Sequence, residues 1–121
     1  MGEIATSNRQ ITVYFSSKSE RAKQTLAYAK TKGLAIQEID ILKTPLTGTQ
    51  IVELADRLHI EVSRLVNQDH PSYEKHFEHH NFSTDDWIKM IQHHPEIMKQ
   101  PIALCGDKTL LVETPTDIIK I

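Results

Sequence analysis

The most constraining stretch of the sequence is residues 10–41, where an apolar alternation, a run of small hydroxyl residues, a helical stripe and a second alternation follow without a gap. In Gln10 to Phe15 (QITVYF), Ile11, Val13 and Phe15 fall on one side, and the density of β-branched and aromatic types favours a strand. Ser16, Ser17, Lys18 and Ser19 can turn the chain and cap a helix start. Ala22, Leu26 and Ala29, with Thr25 beside them, then recur at helical spacing, and Gly33 stands where a left-handed residue ends a helix. Leu34 to Ile41 (LAIQEIDI) predicts a second strand with Leu34, Ile36 and Ile39 as core candidates. Strand, helix and strand within about thirty residues make a βαβ unit, and the right-handed crossover makes its strands parallel neighbours.

Downstream the periodicity changes. Pro45 marks a loop, and Thr47 with Gln50 has the spacing of a capping box, which predicts a helix to about Leu58 with Ile51, Leu54, Ala55 and Leu58 buried. Val62, Leu65 and Val66 predict a short helical turn before a loop at His70 and Pro71. Ser83 caps a helix to His94, Asp85 and Asp86 suit its positive end, and Trp87, Ile88 and Ile91 are expected to face inward, with Pro95 as the limit. Ile102 to Cys105 and Thr109 to Val112 flank Gly106-Asp107-Lys108 as a β-hairpin, and Pro115 opens a last short helix through Ile118 and Ile119.

The order is therefore βαβ, then helices, then ββα. With 121 residues and no internal repeat or linker, a single domain over 10–121 is expected, preceded by a flexible leader, residues 1–9. The 14 Lys and Arg against 16 Asp and Glu give a net charge of -2, which lacks the basic excess that phosphate-backbone binding exploits, so no direct nucleic-acid contact is expected. No apolar run approaches the ~20 residues of a membrane helix, and Met1 to Gln10 lacks the pattern of a secretory signal. A cytoplasmic protein without a membrane partner is the expectation.

The element order resembles the thioredoxin-like architecture of the arsenate reductase (ArsC) and Spx family: a four-stranded mixed sheet with an inserted helical segment. Family-like motifs stand in order at Ile11-Thr12-Val13-Tyr14, Gln24-Thr25-Leu26, Leu42-Lys43-Thr44-Pro45, Tyr73, His94-Pro95 and Pro101-Ile102. The resemblance implies a redox cysteine at the start of the first helix, where the helix dipole and nearby cations lower its pKa. The matching position here is Ser19. It further implies two oxyanion-holding arginines, whose positions are Asn67 and Gln100, and a residue beside the strand-one tyrosine, often His in reductases, which is Phe15. A proline in the cis form is implied at Pro101, with Gln100 and Asn67 as walls of a shallow polar pocket near Ser19.

These departures decide the chemistry that the resemblance leaves. Thiolate attack and disulfide exchange need sulfur, and a serine hydroxyl is almost wholly protonated near neutral pH. Replacing arginine removes bidentate contacts to an oxyanion. No catalytic residue is therefore assigned, no cofactor is expected, and a binding or regulatory role with a protein partner, by analogy with Spx, is the leading expectation. A second candidate ligand is a small anion held by Ser17, Ser19, Lys23, Asn67, Gln100 and Pro101, since helix starts bind anions through backbone N–H groups.

The rival expectation is an arsenate reductase-like or glutathione-linked oxidoreductase working through a non-standard residue. Cys105, the single cysteine, is the candidate nucleophile, although its place in an apolar internal strand predicts a small buried hydrophobe. His76, His79 and His80 share a helical spacing, but no HExxH or Cys/His pattern accompanies them, so no metal site is assigned.

Overall fold

A computed structural model of the protein describes residues 9–71, 73 and 82–121. The expected leader, apart from Arg9, and the His76, His79 and His80 cluster lie outside the described residues. Two compact units are present. Among described residues one unit comprises 9–44 and 100–121, the other 45–71, 73 and 82–99.

The first unit is built on a four-stranded sheet of order β2-β1-β3-β4. Its strands are β1 (Ile11–Phe15), β2 (Ile36–Asp40), β3 (Ile102–Cys105) and β4 (Lys108–Leu111). Parallel pairing runs from Ile11↔Ile36 to Phe15↔Asp40, as the βαβ reading requires. On its other side β1 meets β3 antiparallel, with Val13 opposite Ala103. Alternation along β1 sends Ile11, Val13 and Phe15 into an apolar cluster with Ala22, Leu26 and Ala29 of α1 (Glu20–Thr31), together with Ala103, Val112 and Ile118. Thr12 and Tyr14, on the opposite face, are buried as well.

Four local expectations shift. The second strand begins at Ile36 rather than Leu34, and Leu34, Ile36 and Ile39 are only partly buried, because β2 is an edge strand with a neighbour on one side. The hairpin turn is shorter than the sequence suggests: Cys105 pairs with Lys108, and Gly106 takes a φ of +57° as a two-residue turn requires. Cys105 itself is half-buried rather than sealed, because it ends β3 beside that turn. The last helix is a 3₁₀ segment, Pro115–Lys120, which packs on α1 and buries Ile118 while Ile119 stays 54% exposed. Gly33 follows α1 with a φ of +70°, the left-handed ending that its position predicts.

The second unit holds α2 (Gly48–Arg57), a 3₁₀ turn at Val62–Leu65, α3 (Thr84–His93) and a 3₁₀ turn at Pro95–Ile97. Thr47 and Gln50 form the expected capping box, with Gln50 N–H donating to Thr47 Oγ1 at 3.1 Å and Thr47 N–H to Gln50 Oε1 at 3.0 Å. Ser83 and Asp86 do the same for α3. Ile51, Leu54, Ala55, Leu65, Ile91 and Ile97 are fully buried or nearly so. Leu58, Trp87 and Ile88 are only partly buried, and Met90, which the sequence reading passed over, takes an inward place on α3. Trp87 instead stacks on Tyr73 at 6.2 Å between ring centroids and meets Phe82 edge-on at 5.1 Å.

Candidate functional site: the loop from β1 into α1

The loop of Ser16 to Ser19 leaves the C-terminal end of the central strand and delivers the chain to the N-terminus of α1. Ser19 is the N-cap, in extended conformation, and its Oγ accepts from Ala22 N–H at 3.2 Å. Its carbonyl accepts from Lys23 N–H at 3.1 Å, the first helical bond. The hydroxyl oxygen thus serves the helix.

The remaining N–H groups of the loop have partners too. Ser19 N–H donates to Ser16 O at 3.0 Å, and Lys18 N–H donates to Ser16 Oγ at 3.3 Å. Ser17 N–H donates to Asp40 Oδ1 at 3.3 Å, and Ser16 N–H to Gln100 Oε1 at 3.1 Å. Since β2 and β3 lie on opposite sides of β1, Asp40 reaches the loop from one flank and Gln100 from the other. The first turn of any α-helix has N–H groups without intrahelical acceptors. With Ala22 capped by Ser19, those of Glu20 and Arg21 have no acceptor among the described residues.

Asp40 ends β2 and was not among the residues singled out from sequence. Its Oδ1 also accepts from Leu42 N–H at 3.0 Å, and its carbonyl accepts from Lys43 and Thr44 N–H at 3.0 and 2.8 Å. Burial works to raise its pKa, but hydrogen bonds from Ser17 and Leu42 and the charge of Lys43 outweigh it, so the carboxyl sits below its ordinary value of 3.8. The second oxygen, Oδ2, is buried without a hydrogen-bond partner among the described residues.

The candidate residues fall as follows. The Gln100-Pro101 bond is cis, as the sequence resemblance implies, Pro101 is buried, and its carbonyl accepts from Val112 N–H at 2.8 Å. Ser17, Ser19 and Gln100 are gathered around Ser16, whereas Lys23 extends along α1 into a solvent-exposed ion pair with Glu20 at 3.5 Å. Asn67 belongs to the second unit, where its Oδ1 accepts from Asp69 N–H at 3.1 Å and its own N–H donates to Ile97 O at 2.7 Å. That side chain closes a local turn. Among the described residues no group of three or more His, Cys, Asp and Glu is placed to hold a metal ion. Nor is any described helix long and apolar enough to cross a membrane.

A mixed four-stranded sheet, a helix leaving its central strand, and a cis-proline opening the next strand define an α/β protein of thioredoxin-like fold. The comparisons with solved structures agree. The chain is similar to the arsenate reductase from Vibrio cholerae, with a TM-score of 0.83 and 21% identity over 95% of this chain and 99% of that one. It is also similar to a candidate arsenate reductase from Yersinia pestis, with a TM-score of 0.83 and 19% identity over 92% and 99% of the two chains. An arsenate reductase (ArsC) related protein from Brucella melitensis gives a TM-score of 0.74 at 14% identity over 96% and 97%. No curated protein matches the chain. The sequence model of the ArsC family matches residues 14–121, and the chain belongs to that family.

Proposed function

We propose that this ArsC-family protein has lost redox catalysis and works in the cytoplasm as a binding or regulatory module for a protein partner. The observation that carries the reading is the atom at the mouth of α1. At the position where the family resemblance places a thiolate, Ser19 offers an oxygen that caps the helix through Ala22 N–H. A hydroxyl neither ionises usefully near neutral pH nor forms a disulfide, so the electron transfer step has no carrier there. Gln100, at an implied oxyanion-arginine position, brings no positive charge, and its carboxamide oxygen already holds Ser16 N–H.

The test is turnover. Purified protein with arsenate, glutathione and glutaredoxin, or with thioredoxin, is expected to oxidise thiols at the rate of a blank. Turnover that disappears in Ser19→Ala or Cys105→Ser would overturn the reading. A second reading, a glutathione-linked oxidoreductase using Cys105, draws support from the half-buried position of that thiol at the end of β3. It requires a glutathione mixed disulfide at Cys105, which intact-mass measurement after incubation with oxidised glutathione detects directly.

A further inference from the structure

We propose that Asp40 and Gln100 are the specificity-determining residues of the β1–α1 loop: they hold its N–H donors from both flanks and so close it to oxyanions. The inference rests on the non-redox reading above and deepens it by saying what the loop refuses and which side chains refuse it.

An oxyanion seated at a helix start is held by convergent backbone N–H groups and by the positive end of the dipole. In this loop four consecutive N–H groups, those of Ser16 to Ser19, are bonded within the chain. Two of the four acceptors are internal to the loop and belong to its turn. The other two come from outside it, from Asp40 at the end of β2 and from Gln100 before the cis-proline that leads into β3. Asp40 does more than occupy a donor. It places a negative charge on Ser17 N–H, and its buried Oδ2 has no hydrogen-bond partner among the described residues. Glu20, the first helical residue, adds a second carboxylate at the same end. Of the cations nearby, Lys23 is in a solvent-exposed pair with Glu20 at 3.5 Å, and the charge of Lys43 acts on Asp40 itself. An arriving arsenate, phosphate or sulfate would find two open N–H groups, those of Glu20 and Arg21, and a resident carboxylate one hydrogen bond away.

Asp40 thereby stands in for the ligand. Removing it should return Ser17 N–H to the set of available donors and delete one like charge, which raises oxyanion affinity by about tenfold or more. Asn at the same position keeps an acceptor for Ser17 N–H without the charge, so it should give a smaller gain. Removing Gln100 alone restores a neutral donor and should change affinity least.

The experiment is an NMR titration of the ¹⁵N-labelled full chain with arsenate, phosphate and sulfate in turn, against chloride at matched ionic strength, for wild type, Asp40→Ala, Asp40→Asn and Gln100→Ala. The expected result is no saturable shift at the Ser16 to Arg21 amides in wild type and saturable shifts there in Asp40→Ala. Saturable binding by wild type overturns the proposal. So does a folded Asp40→Ala that binds no better than wild type; if that variant does not fold, an Asp40→Asn with native dispersion and unchanged affinity overturns it instead. Thiol turnover on wild type is a separate readout: turnover defeats the non-redox reading, whereas absent turnover with no gain in the variants defeats this inference alone.

Discussion

Gln100 accepts a hydrogen bond from Ser16 N–H at 3.1 Å across 84 residues of sequence, and it does so from the residue before the cis-proline. One side chain thus ties the start of β3 to the loop that leaves β1. Ser16 is buried, so no solvent stands ready to replace the acceptor.

Truncating that side chain leaves a buried N–H unpaired. Gln100→Ala is expected to destabilise the protein by about 1–3 kcal/mol, the ordinary cost of such an orphan. Urea unfolding measures the loss, and faster amide exchange confined to Ser16 and its neighbours shows where it arises.

Ser19→Ala removes the acceptor for Ala22 N–H and should cost about 0.5–2 kcal/mol, while Ser19→Asp should keep the cap. Ser19→Cys asks a different question. A thiol there sits at a helix N-terminus near Lys18 and Arg21, so iodoacetamide should react with it at a pH midpoint below ~8.5. A midpoint at or above that value would show that the loop does not activate sulfur.

Acid should weaken the protein in a defined window. Asp40, Asp86 and Asp117 all have pKa values below 3.8: hydrogen bonds from Ser17 and Leu42 overcome burial for Asp40, those from Ser83 act on Asp86, and those from Lys120 and Thr114 act on Asp117. A carboxyl whose folded pKa is depressed contributes stability above its unfolded pKa and loses it as pH falls through the folded value. Stability in urea from these groups should hold steady above the ordinary carboxylate range and drop below pH 3.8. Asp40→Asn should flatten part of that drop.

Core truncations should be costly in each unit. Ile118→Ala, in the C-terminal 3₁₀ segment, and Leu54→Ala, on α2, each remove a side chain with 0% exposure, and losses of about 2–5 kcal/mol are expected in thermal or urea unfolding. A loss near zero for Ile118→Ala would mean that the segment does not pack on α1 in solution.

Much of this architecture is legible in short windows. The strand pattern of Ile11, Val13 and Phe15, the stripe of Ala22, Thr25, Leu26 and Ala29, the Thr47/Gln50 box and the Ser83 cap all depend on neighbours within a few residues, and all are found where the sequence puts them. The cis bond at Gln100-Pro101 is legible through the family resemblance rather than through local chemistry. Asp40 is the instructive miss. In LAIQEIDI it looks like a polar residue closing an apolar run, and its value appears only once β2 lies parallel to β1 and brings a carboxylate to Ser17. Trp87 misleads in the opposite way, because hydrophobic size suggests an inward residue while Tyr73 and Phe82 hold it at a partly exposed position. Asn67 aligns with an implied arginine, yet its carboxamide bonds the backbone two residues on, a short-range use that alignment does not reveal.

The central place of β1 carries a consequence for biosynthesis. Its parallel neighbour β2 is translated soon after it, but its antiparallel neighbour β3 comes from the far end of the chain. While the ribosome works through the intervening helices, one hydrogen-bonding edge of the nascent β1 waits without its mate, and closing so long a loop is slow compared with local pairing. Chaperone demand should therefore peak just before the final hairpin emerges, and weakening that hairpin should lower soluble yield more than it lowers the stability of protein already folded.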